Sequence, residues 1–296
     1  MTDPQLSAVI SERRQLLNLA YRLLGSLAEA EDVVQETYTR WYALSDRQRQ
    51  DVTAPGAWLT TVASRICLDL LGSARARRER YVGEWIPEPV PDRSEWLSGP
   101  APADPADRVT LDESISMAFL VVLDSMTPAE RVAFVLHDVF RYSFAEVAEI
   151  VGRTPAACRQ LASSARRRIR TAEAPSTTHR ADIVRGFKEA WDTRDIAALV
   201  SLLDPEAIAI ADSGGLVPAF RDPITGAENI ASAWMEIAAQ RSGVALLERT
   251  VNGQPGLVAE LAGEVVAVYA FDIADDHITR IWVIRNPEKL RPWTAN

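Results

Sequence analysis

Six of the chain's 17 prolines lie within residues 82–107, whose sequence is VGEWIPEPVPDRSEWLSGPAPADPAD. Proline lacks a backbone donor and disfavours helical geometry at the preceding residue, so no long helix or central strand is expected across this stretch. A second break, TAEAPSTTHR at residues 171–180, is short, polar and interrupted by proline. We therefore expect a linker at residues 82–107 between folded blocks at residues 1–81, 108–172 and 179–296.

Composition limits the class of protein. The chain has 296 residues, of which 47% are hydrophobic and 25% charged, and this suits about two domains with their own cores. No run approaches the roughly 20 apolar residues of a membrane span, and the N-terminus lacks the order of a signal peptide, so a cytoplasmic location is expected. Cys67 and Cys158 are far apart without a neighbouring His or Cys, so neither a zinc site nor a disulfide is predicted. No cofactor is predicted.

Block one is predicted to be helical. Gly25 closes one helix, and Ser26 with Glu29 forms a capping box for the next. One face of that second helix is apolar and is expected to be buried. Its other face carries a compact patch of acidic and amide side chains, Asp32, Gln35 and Glu36. A further helix is predicted to begin at Pro55 and to end in the basic run RARRER.

Block two contains three helix-start signals. In each, a capping hydroxyl precedes a glutamate or a proline, and these hydroxyls belong to Thr127, Ser143 and Thr154. Helices are therefore predicted to begin near residues 128, 144 and 155. The second is about two turns long and ends at Gly152, so the segment has the helix-turn-helix pattern.

The last of these helices is rich in arginine. Gly152–Arg170 contains six arginines and no acidic residue, although the whole chain has a net charge of -9. One interpretation is an ordinary solvated helix face. In a helix-turn-helix, however, the start of the second helix reaches base edges and later residues reach phosphates. Arg159 and Gln160 have suitable length and donors for bases, and the residues placed for phosphates are Arg166, Arg167, Arg168 and Arg170.

Three stretches in this order resemble a known family. Two of them precede the linker, AEDVVQETYTRWY and PGAWLTTVASRICLDLLGSARARRER. The third follows it and reads MTPAERVAFVLHDVFRYSFAEVAEIVGRTPAACRQLASSARRRIR. The series resembles the bacterial sigma factors of the extracytoplasmic-function group, which keep two conserved helical domains, region 2 and region 4. The resemblance implies binding to core RNA polymerase and promoter-specific initiation of transcription.

The resemblance also implies roles for individual residues. The patch of Asp32, Gln35 and Glu36 corresponds to the surface that docks on the clamp coiled coil of the polymerase beta-prime subunit. The end of block one corresponds to the part that melts and reads the -10 element, with candidate DNA contacts at Trp58, Arg65, Arg75, Arg77, Arg78 and Arg80. Trp58 is equally compatible with a place in the core. The reader of the -35 element corresponds to the arginine-rich helix, with candidates Arg159, Gln160, Arg166, Arg167 and Arg168.

Block three combines helix and strand patterns. Three helices are predicted, in HRADIVRGFKEAWDTR, DIAALVSLLDPEAIAIADSGG and GAENIASAWMEIAAQR. Four strand-like runs lie within residues 244–285. Helices followed by antiparallel strands indicate an α+β domain with a curved sheet over helices. The block resembles the SnoaL-like branch of the nuclear-transport-factor-type cone fold. The expected fold is therefore multidomain, with two all-α helical sigma domains and a C-terminal α+β SnoaL-like domain.

Sigma factors fused to such a domain form a subgroup with three short motifs. Here these look like WIPEP at 85–89, DSGG at 212–215, where Ser213 replaces one of three glycines, and NPEKL at 286–290. In the subgroup the fused domain is thought to replace a separate anti-sigma protein. We expect the WIPEP tryptophan and first proline to pack near the glycine loop or the NPEKL motif. The candidate regulatory residues are Trp85, Pro87, Glu88, Pro89, Asp212, Gly214, Gly215, Asn286 and Pro287.

Two other classes of protein stay open. One is a ligand-responsive helix-turn-helix regulator that works without core polymerase. The other is a cyclase or isomerase fused to a DNA-binding module, since some SnoaL-like enzymes use a carboxylate or histidine as general base. The candidates for that base are Asp212, Asp272 and His277. We expect the last two at exposed strand ends and the first as a brace for its glycine loop, so we favour a regulatory, non-enzymatic domain that leaves room for an unknown small-molecule ligand.

Overall fold

The computed structural model of the chain describes residues 4–78, 81–91, 115–169, 177–240 and 243–294, with side chains from residue 12, to residue 73 in the first segment, and from residue 178 in the fourth. The chain divides into two compact units. The first holds residues up to 79 and residues 122–170. The second holds residues 80–92, 115–121 and 171–296, so the described part of the linker, residues 82–91, folds with the C-terminal domain.

The first half of the first unit is wholly helical, as predicted. Its helices are α1 Pro4–Leu24, α2 Leu27–Ala43, α3 Asp46–Asp51 and α4 Pro55–Arg78. Gly25, at φ 70°, ends α1, and the Ser26 hydroxyl accepts from the Glu29 amide at the start of α2, so the predicted helix end and one of the two hydrogen bonds of the predicted capping box are confirmed. None of the described helices is both long and apolar enough to cross a membrane.

The second half of the unit contains the helix-turn-helix. Its helices are α5 Met117–Asp124, which begins in the second unit, α6 Pro128–Phe134, a π-helix at Val135–Val139, α7 Phe144–Val151 and α8 Pro155–Arg168. The three predicted capping hydroxyls each accept from an amide three residues on. Gly152 adopts a left-handed conformation, at φ 67° and ψ 38°, which lets the chain turn directly from α7 into α8.

The second unit is an α+β domain. Its helices are α9 Thr177–Thr193, α10 Ile196–Leu202, α11 Ala227–Gln240 and a short α12 Arg291–Thr294. Its strands are β1 Leu203–Asp212, β2 Ile224–Thr225, β3 Val244–Val251, β4 Gln254–Leu261, β5 Glu264–Ala274 and β6 His277–Ile284. They form one six-stranded sheet in the order β2-β1-β6-β5-β4-β3, and the four strands expected after residue 244 are confirmed.

Two expectations about this domain were wrong in detail. The helix predicted in DIAALVSLLDPEAIAIADSGG covers only α10, and β1 follows it without a gap. Alternate alanines of β1, at positions 207, 209 and 211, are buried, which is the period of a strand, and Pro205 disfavours a continued helix. Because β1 runs parallel to β6, the sheet is mixed instead of wholly antiparallel.

Both faces of the sheet are covered. On β6, Ile281 and Val283 belong to the core shared with the helices, whereas Trp282 and Ile284 belong to a second core on the other face. That second core includes the linker residue Ile86 and also Met117 and Leu290. A strand buried on both faces needs a continuous apolar run, which explains the sequence IWVI in β6.

A pair of glycine substitutions tests the packing of this sheet. A Cβ at Gly256 would lie 2.7 Å from the Tyr269 carbonyl oxygen and 2.6 Å from a Val251 methyl, whereas a Cβ at Gly72 in α4 would meet nothing within 4 Å. We expect Gly256→Ala to lower the free energy of unfolding by about 1–3 kcal/mol. Gly72→Ala should leave it unchanged or raise it by up to about 1 kcal/mol. Chemical denaturation measures both, and an unaltered Gly256→Ala protein would contradict the packing.

Candidate functional site

The expected polymerase-docking patch lies on the solvent side of α2. Asp32, Gln35 and Glu36 are all exposed and come together on one face, as their spacing predicts. The opposite face of α2 is buried through Val33, Val34, Thr37 and Trp41. Glu36 is held by Arg40, whose Nε lies 2.8 Å from its Oε1 on the same helix. The patch is thus a set of acceptors on a rigid support.

The candidates for the -10 element differ in exposure. Trp58 is half-buried, and its ring meets the Trp41 ring edge-on at 5.2 Å between centroids. Arg65 is exposed, and its guanidinium donates to the carbonyl oxygen of Glu149 at 2.8 Å. The side chains of three other candidates, Arg75, Arg77 and Arg78, and the whole of Arg80 lie outside the described residues.

Within the first unit, the helices of block one also pack against those of block two. The Tyr142 hydroxyl donates to Thr60 Oγ1 at 3.1 Å. Arg131 is buried and donates to the Leu23 carbonyl oxygen and to Asp124 Oδ1, both at 2.8 Å. Burial lowers the pKa of the Arg131 guanidinium to about 10. This packing explains why Arg65, a candidate for DNA, is engaged by α7.

The N-terminal half of α8 presents its polar side to solvent. Arg159 and Gln160 are exposed, and Cys158 and Ala162 on the other side are buried. The Arg159 guanidinium lies 5.2 Å from the centroid of the Phe144 ring, at the start of α7. A cation resting on an aromatic face is held in place without losing its donors. Both predicted base readers are therefore accessible.

The last turn of α8 holds three of the four arginines expected at phosphates, and these three are exposed, whereas Arg170 lies outside the described residues. Arg166 Nε donates to Asp138 Oδ1 at 2.7 Å. Arg168 donates to the Ser125 carbonyl oxygen at 2.7 Å and lies 3.7 Å from Glu130. Two of the three are thus oriented by neighbouring helices. Cations at a helix C-terminus also interact favourably with its dipole.

A buried carboxylate in the second unit binds the linker. Asp212, at the end of β1, is 0% exposed. Its Oδ1 accepts from the Tyr81 hydroxyl at 2.6 Å and from the Gly214 amide at 3.1 Å. Its Oδ2 accepts from the Ile86 amide at 3.0 Å and from Lys289 Nζ at 2.6 Å. One carboxylate therefore braces its glycine loop, pairs with the NPEKL lysine and holds two points of residues 81–91, which join Tyr81, the last residue of block one, to the described part of the linker and are called the linker from here on. We call this group of contacts the linker seat.

Lys289 also contacts the linker directly. Its Nζ also donates to the carbonyl oxygen of Ile86, and it lies 4.3 Å from the centroid of the Trp85 ring and 5.2 Å from that of the Tyr81 ring. Burial and the hydrogen bond to Asp212 raise the pKa of the Tyr81 hydroxyl, which stays a donor. Aromatic faces stabilise a buried cation, so the two linker rings offset part of its desolvation.

The glycine loop is shaped by its contact with the linker. Gly214 and Gly215 have φ of 60° and 72°, and a Cβ on them would approach the Asn286 side chain to 2.6 Å and the Val82 Cβ to 2.9 Å. Ser213 replaces a glycine of the subgroup motif. Its side chain is accommodated, and its hydroxyl accepts a hydrogen bond from the Gly215 amide at 3.3 Å. The two positions that require glycine have it.

The NPEKL motif contributes through the residues on either side of its proline. The Asn286 side-chain amide donates to the Tyr81 hydroxyl at 2.7 Å, and its backbone amide donates to the Asp212 carbonyl oxygen at 3.0 Å. Pro287 is exposed, and its carbonyl oxygen accepts from the Leu290 amide at 3.3 Å. Within WIPEP, Trp85 is half-buried, and the buried residues are Ile86, Pro87, Glu88 and Pro89.

A second contact of the linker was missed by sequence reasoning. Asn252, buried in the turn between β3 and β4, accepts from the Val90 amide at 3.1 Å and donates its own amide to the Val90 carbonyl oxygen at 2.9 Å. Its side chain also donates to the Ile115 carbonyl oxygen at 3.0 Å. The available signal was the Asn-Gly pair between two strand-like runs, which marks a tight hairpin. Trp293 Nε1 adds a bond to the Pro89 carbonyl oxygen at 2.9 Å.

The alternative catalytic residues do not converge. The expectation that Asp272 is exposed at a strand end was wrong: it is half-buried inside β5, and burial raises its pKa against the lowering effect of Arg280 and Arg180. His277 is exposed at the start of β6, as expected. A cavity of about 320 Å³ lies within the second unit, and its described lining includes neither residue, nor Asp212.

Comparisons with known proteins agree with the two helical domains. Residues 9–77 match the family described as Sigma-70 region 2, and residues 116–169 match Sigma-70, region 4. The ECF RNA polymerase sigma factor SigJ of Mycobacterium tuberculosis is 38% identical over 294 residues, which cover 94% of this chain and 90% of SigJ. The probable ECF RNA polymerase sigma factor SigI of the same species is 34% identical over 300 residues, which cover 99% and 97%. The crystal structure of M. tuberculosis SigJ superposes with a TM-score of 0.74, at 34% identity, over 97% of this chain and 98% of that one.

Removal of the buried cation tests the linker seat. Lys289→Met leaves Asp212 buried without its counter-ion, so we expect the free energy of unfolding to fall by about 3–5 kcal/mol. Lys188→Met is the matched control, since Lys188 pairs with the exposed Asp192 at 2.7 Å and such pairs contribute at most about 1 kcal/mol. Chemical denaturation gives both values, and limited proteolysis reports cleavage within residues 81–91. Equal losses in the two variants would contradict the seat.

Proposed function

This chain belongs to the extracytoplasmic-function RNA polymerase sigma factors, and we propose that the linker seat in its C-terminal domain regulates its use of promoters. Two helical sigma domains precede an α+β SnoaL-like domain. The observation that carries the proposal is that Asp212 binds the linker residues Tyr81 and Ile86. A change at this seat acts directly on the segment that follows the first sigma domain.

The proposed division of labour follows from charge and exposure. Asp32, Gln35 and Glu36 offer acceptors to a basic coiled coil of the polymerase beta-prime subunit. The exposed face of α8 reads the -35 element, and α4 with its following arginines takes part at the -10 element, where unstacked bases need aromatic and cationic partners. Because these partners are cytoplasmic, we expect the protein to work in the cytoplasm. The acidic remainder, in a chain with net charge -9, disfavours non-specific binding to DNA.

Two arginines of α8 separate base reading from phosphate binding. In holoenzyme bound to -35 fragments, Arg159→Ala should cost about 1–3 kcal/mol and reduce discrimination between sequences. Arg167→Ala should weaken binding to all sequences alike and make the log-log salt slope shallower by about 0.9. Arg249→Ala, an exposed arginine on β3, is the control. Fluorescence anisotropy at several salt concentrations measures all three. If Arg159→Ala behaved like the control, α8 would not be the reader.

Regulation requires two states of the linker. Hydrogen bonds and ring contacts hold it on the C-terminal domain through Trp85, Ile86 and Val90. A partner that binds the released linker better than the seated one shifts the equilibrium by its difference in affinity, and core polymerase is the natural candidate. Release of the linker from the seat therefore costs free energy, because these contacts are lost.

We propose that the C-terminal domain has no enzymatic role. Asp212 is engaged by Tyr81, Ile86, Gly214 and Lys289, so it is not available as a general base. Asp272 and His277 do not belong to the described lining of the cavity, whereas a general base must reach its substrate. If the protein turned over a substrate and Asp212→Asn or His277→Ala abolished that turnover, the cyclase or isomerase hypothesis would be supported.

Run-off transcription with purified core polymerase tests the regulatory proposal. The comparison covers the full chain, residues 1–175, Trp85→Ala and Lys289→Met on a promoter library. We expect specific initiation, and we expect both point variants to change promoter output several-fold in the direction of the truncated chain, since coupling of this kind amounts to about 1–3 kcal/mol. Arg249→Ala serves again as the control.

Each outcome has a definite meaning. If the truncation altered output but Trp85→Ala and Lys289→Met did not, regulation would act elsewhere than at the linker seat. Absence of core binding and of transcripts from every form would favour the stand-alone helix-turn-helix regulator, which has no use for the patch of Asp32, Gln35 and Glu36. The sign of the truncation effect decides whether the C-terminal domain activates or inhibits.

A further inference from the structure

The C-terminal domain contains an apolar cavity that the linker seat does not use. Its volume is about 320 Å³, within the range of small-molecule sites. Aromatic side chains form much of its wall: Trp191, Phe220, Trp234 and Tyr269. The Trp234 ring centroid lies 6.1 Å from that of Phe220 and 6.4 Å from that of Tyr269, so Trp234 packs beside both of these rings. Such walls suit a flat or extended apolar body.

Two charged side chains belong to the described lining of this cavity, and they are not equivalent. Glu236, on α11, is exposed, so water screens its charge, and it accepts from the Gln240 side chain at 3.0 Å. Arg285, directly after β6, is half-buried and is the one basic side chain in the described lining. Among its described contacts, its guanidinium donates to the carbonyl oxygen of Pro218. A carboxylate is a stronger, charge-assisted acceptor with a geometry that fits the guanidinium fork.

We propose that this cavity binds a small, largely apolar organic acid, with its apolar body between the aromatic walls and its carboxylate on Arg285. The lining favours this class over an amine because the cationic group is the less exposed of the two charges. It also favours a mainly apolar body over a sugar or nucleotide, since most lining side chains are apolar: Pro218, Ala219, Ile224, Ala233, Ile237, Val244, Ala259, Val266, Ala267 and Val283.

The proposed site adjoins the linker seat through the backbone. The amides of Arg285 and Asn286 both donate to the Asp212 carbonyl oxygen, at 2.7 and 3.0 Å. The loop that begins at the glycines beside Asp212 continues to Pro218 and Phe220 in the cavity wall. A ligand that draws Arg285 from Pro218 therefore acts on both segments that frame Asp212. This coupling rests on the proposed regulatory function, whereas binding itself does not.

Calorimetric titration of the full chain tests the site with 2-naphthoate as the probe. Its neutral analogue 2-naphthamide and the cation 2-naphthylmethylamine are the comparisons. We expect 2-naphthoate to bind better than either, Arg285→Gln to weaken its binding at least about tenfold, and Arg249→Gln to leave it unchanged. Ala233→Phe, which fills the cavity from a half-buried position of α11, should abolish binding. Thermal melts confirm that each variant is folded.

Several results would overturn the site: no binding of 2-naphthoate, preference for the amine, or equal binding by Arg285→Gln or Ala233→Phe. Hydrogen exchange tests the coupling, since the Ile86 amide is bonded to Asp212. We expect 2-naphthoate to change the exchange rate of the Ile86 amide several-fold in the unaltered chain and not in Arg285→Gln. Binding without this change would reject the coupling. The titration contains no polymerase, so its outcome is independent of the transcription experiment.

Discussion

The buried pair of Asp212 and Lys289 sets the organisation of the second unit. Two charges removed from water carry a large desolvation cost, which is offset only when every remaining donor and acceptor is well placed. Here the linker supplies much of what is needed, through the Tyr81 hydroxyl, the Ile86 amide and carbonyl, and the Trp85 ring. The C-terminal domain therefore keeps its ion pair at low cost only with the linker in place. This dependence explains why three motifs that are distant in sequence meet in one group of contacts, the linker seat.

Close steric contacts also define the shape of the linker seat. The close approach of Gly214 and Gly215 to Asn286 and Val82 excludes any side chain larger than hydrogen. The Asn252 turn fixes the linker four residues beyond Ile86, with both backbone groups of Val90 paired. Between the two points, the prolines of WIPEP limit the freedom of the chain, so its seating costs less entropy. The regulation that we propose requires this linker to exchange between a seated and a released state.

The surfaces that we propose for polymerase and DNA follow from the period of the helix. In α2 and α8 the buried residues recur at the period of the helix, and this fixes the opposite sides as exposed wherever the helix packs. Asp32 and Arg159 reach solvent for this reason alone. Contacts such as that of Arg65 with Glu149 depend instead on how the helices pack within the first unit. No local sequence pattern predicts such contacts between helices.

The sequence by itself determined the helices and their caps, the helix-turn-helix, the four later strands and the exposed patches, because each depends on residues within a few positions of one another. Its motifs also marked where the linker would bind. Only the tertiary structure decided the strand β1 and its parallel pairing with β6, the burial of Asp272, and the roles of Tyr81, Lys289 and Asn252. These involve partners separated by tens to hundreds of residues, so their hydrogen bonds arise only when the chain has closed around them.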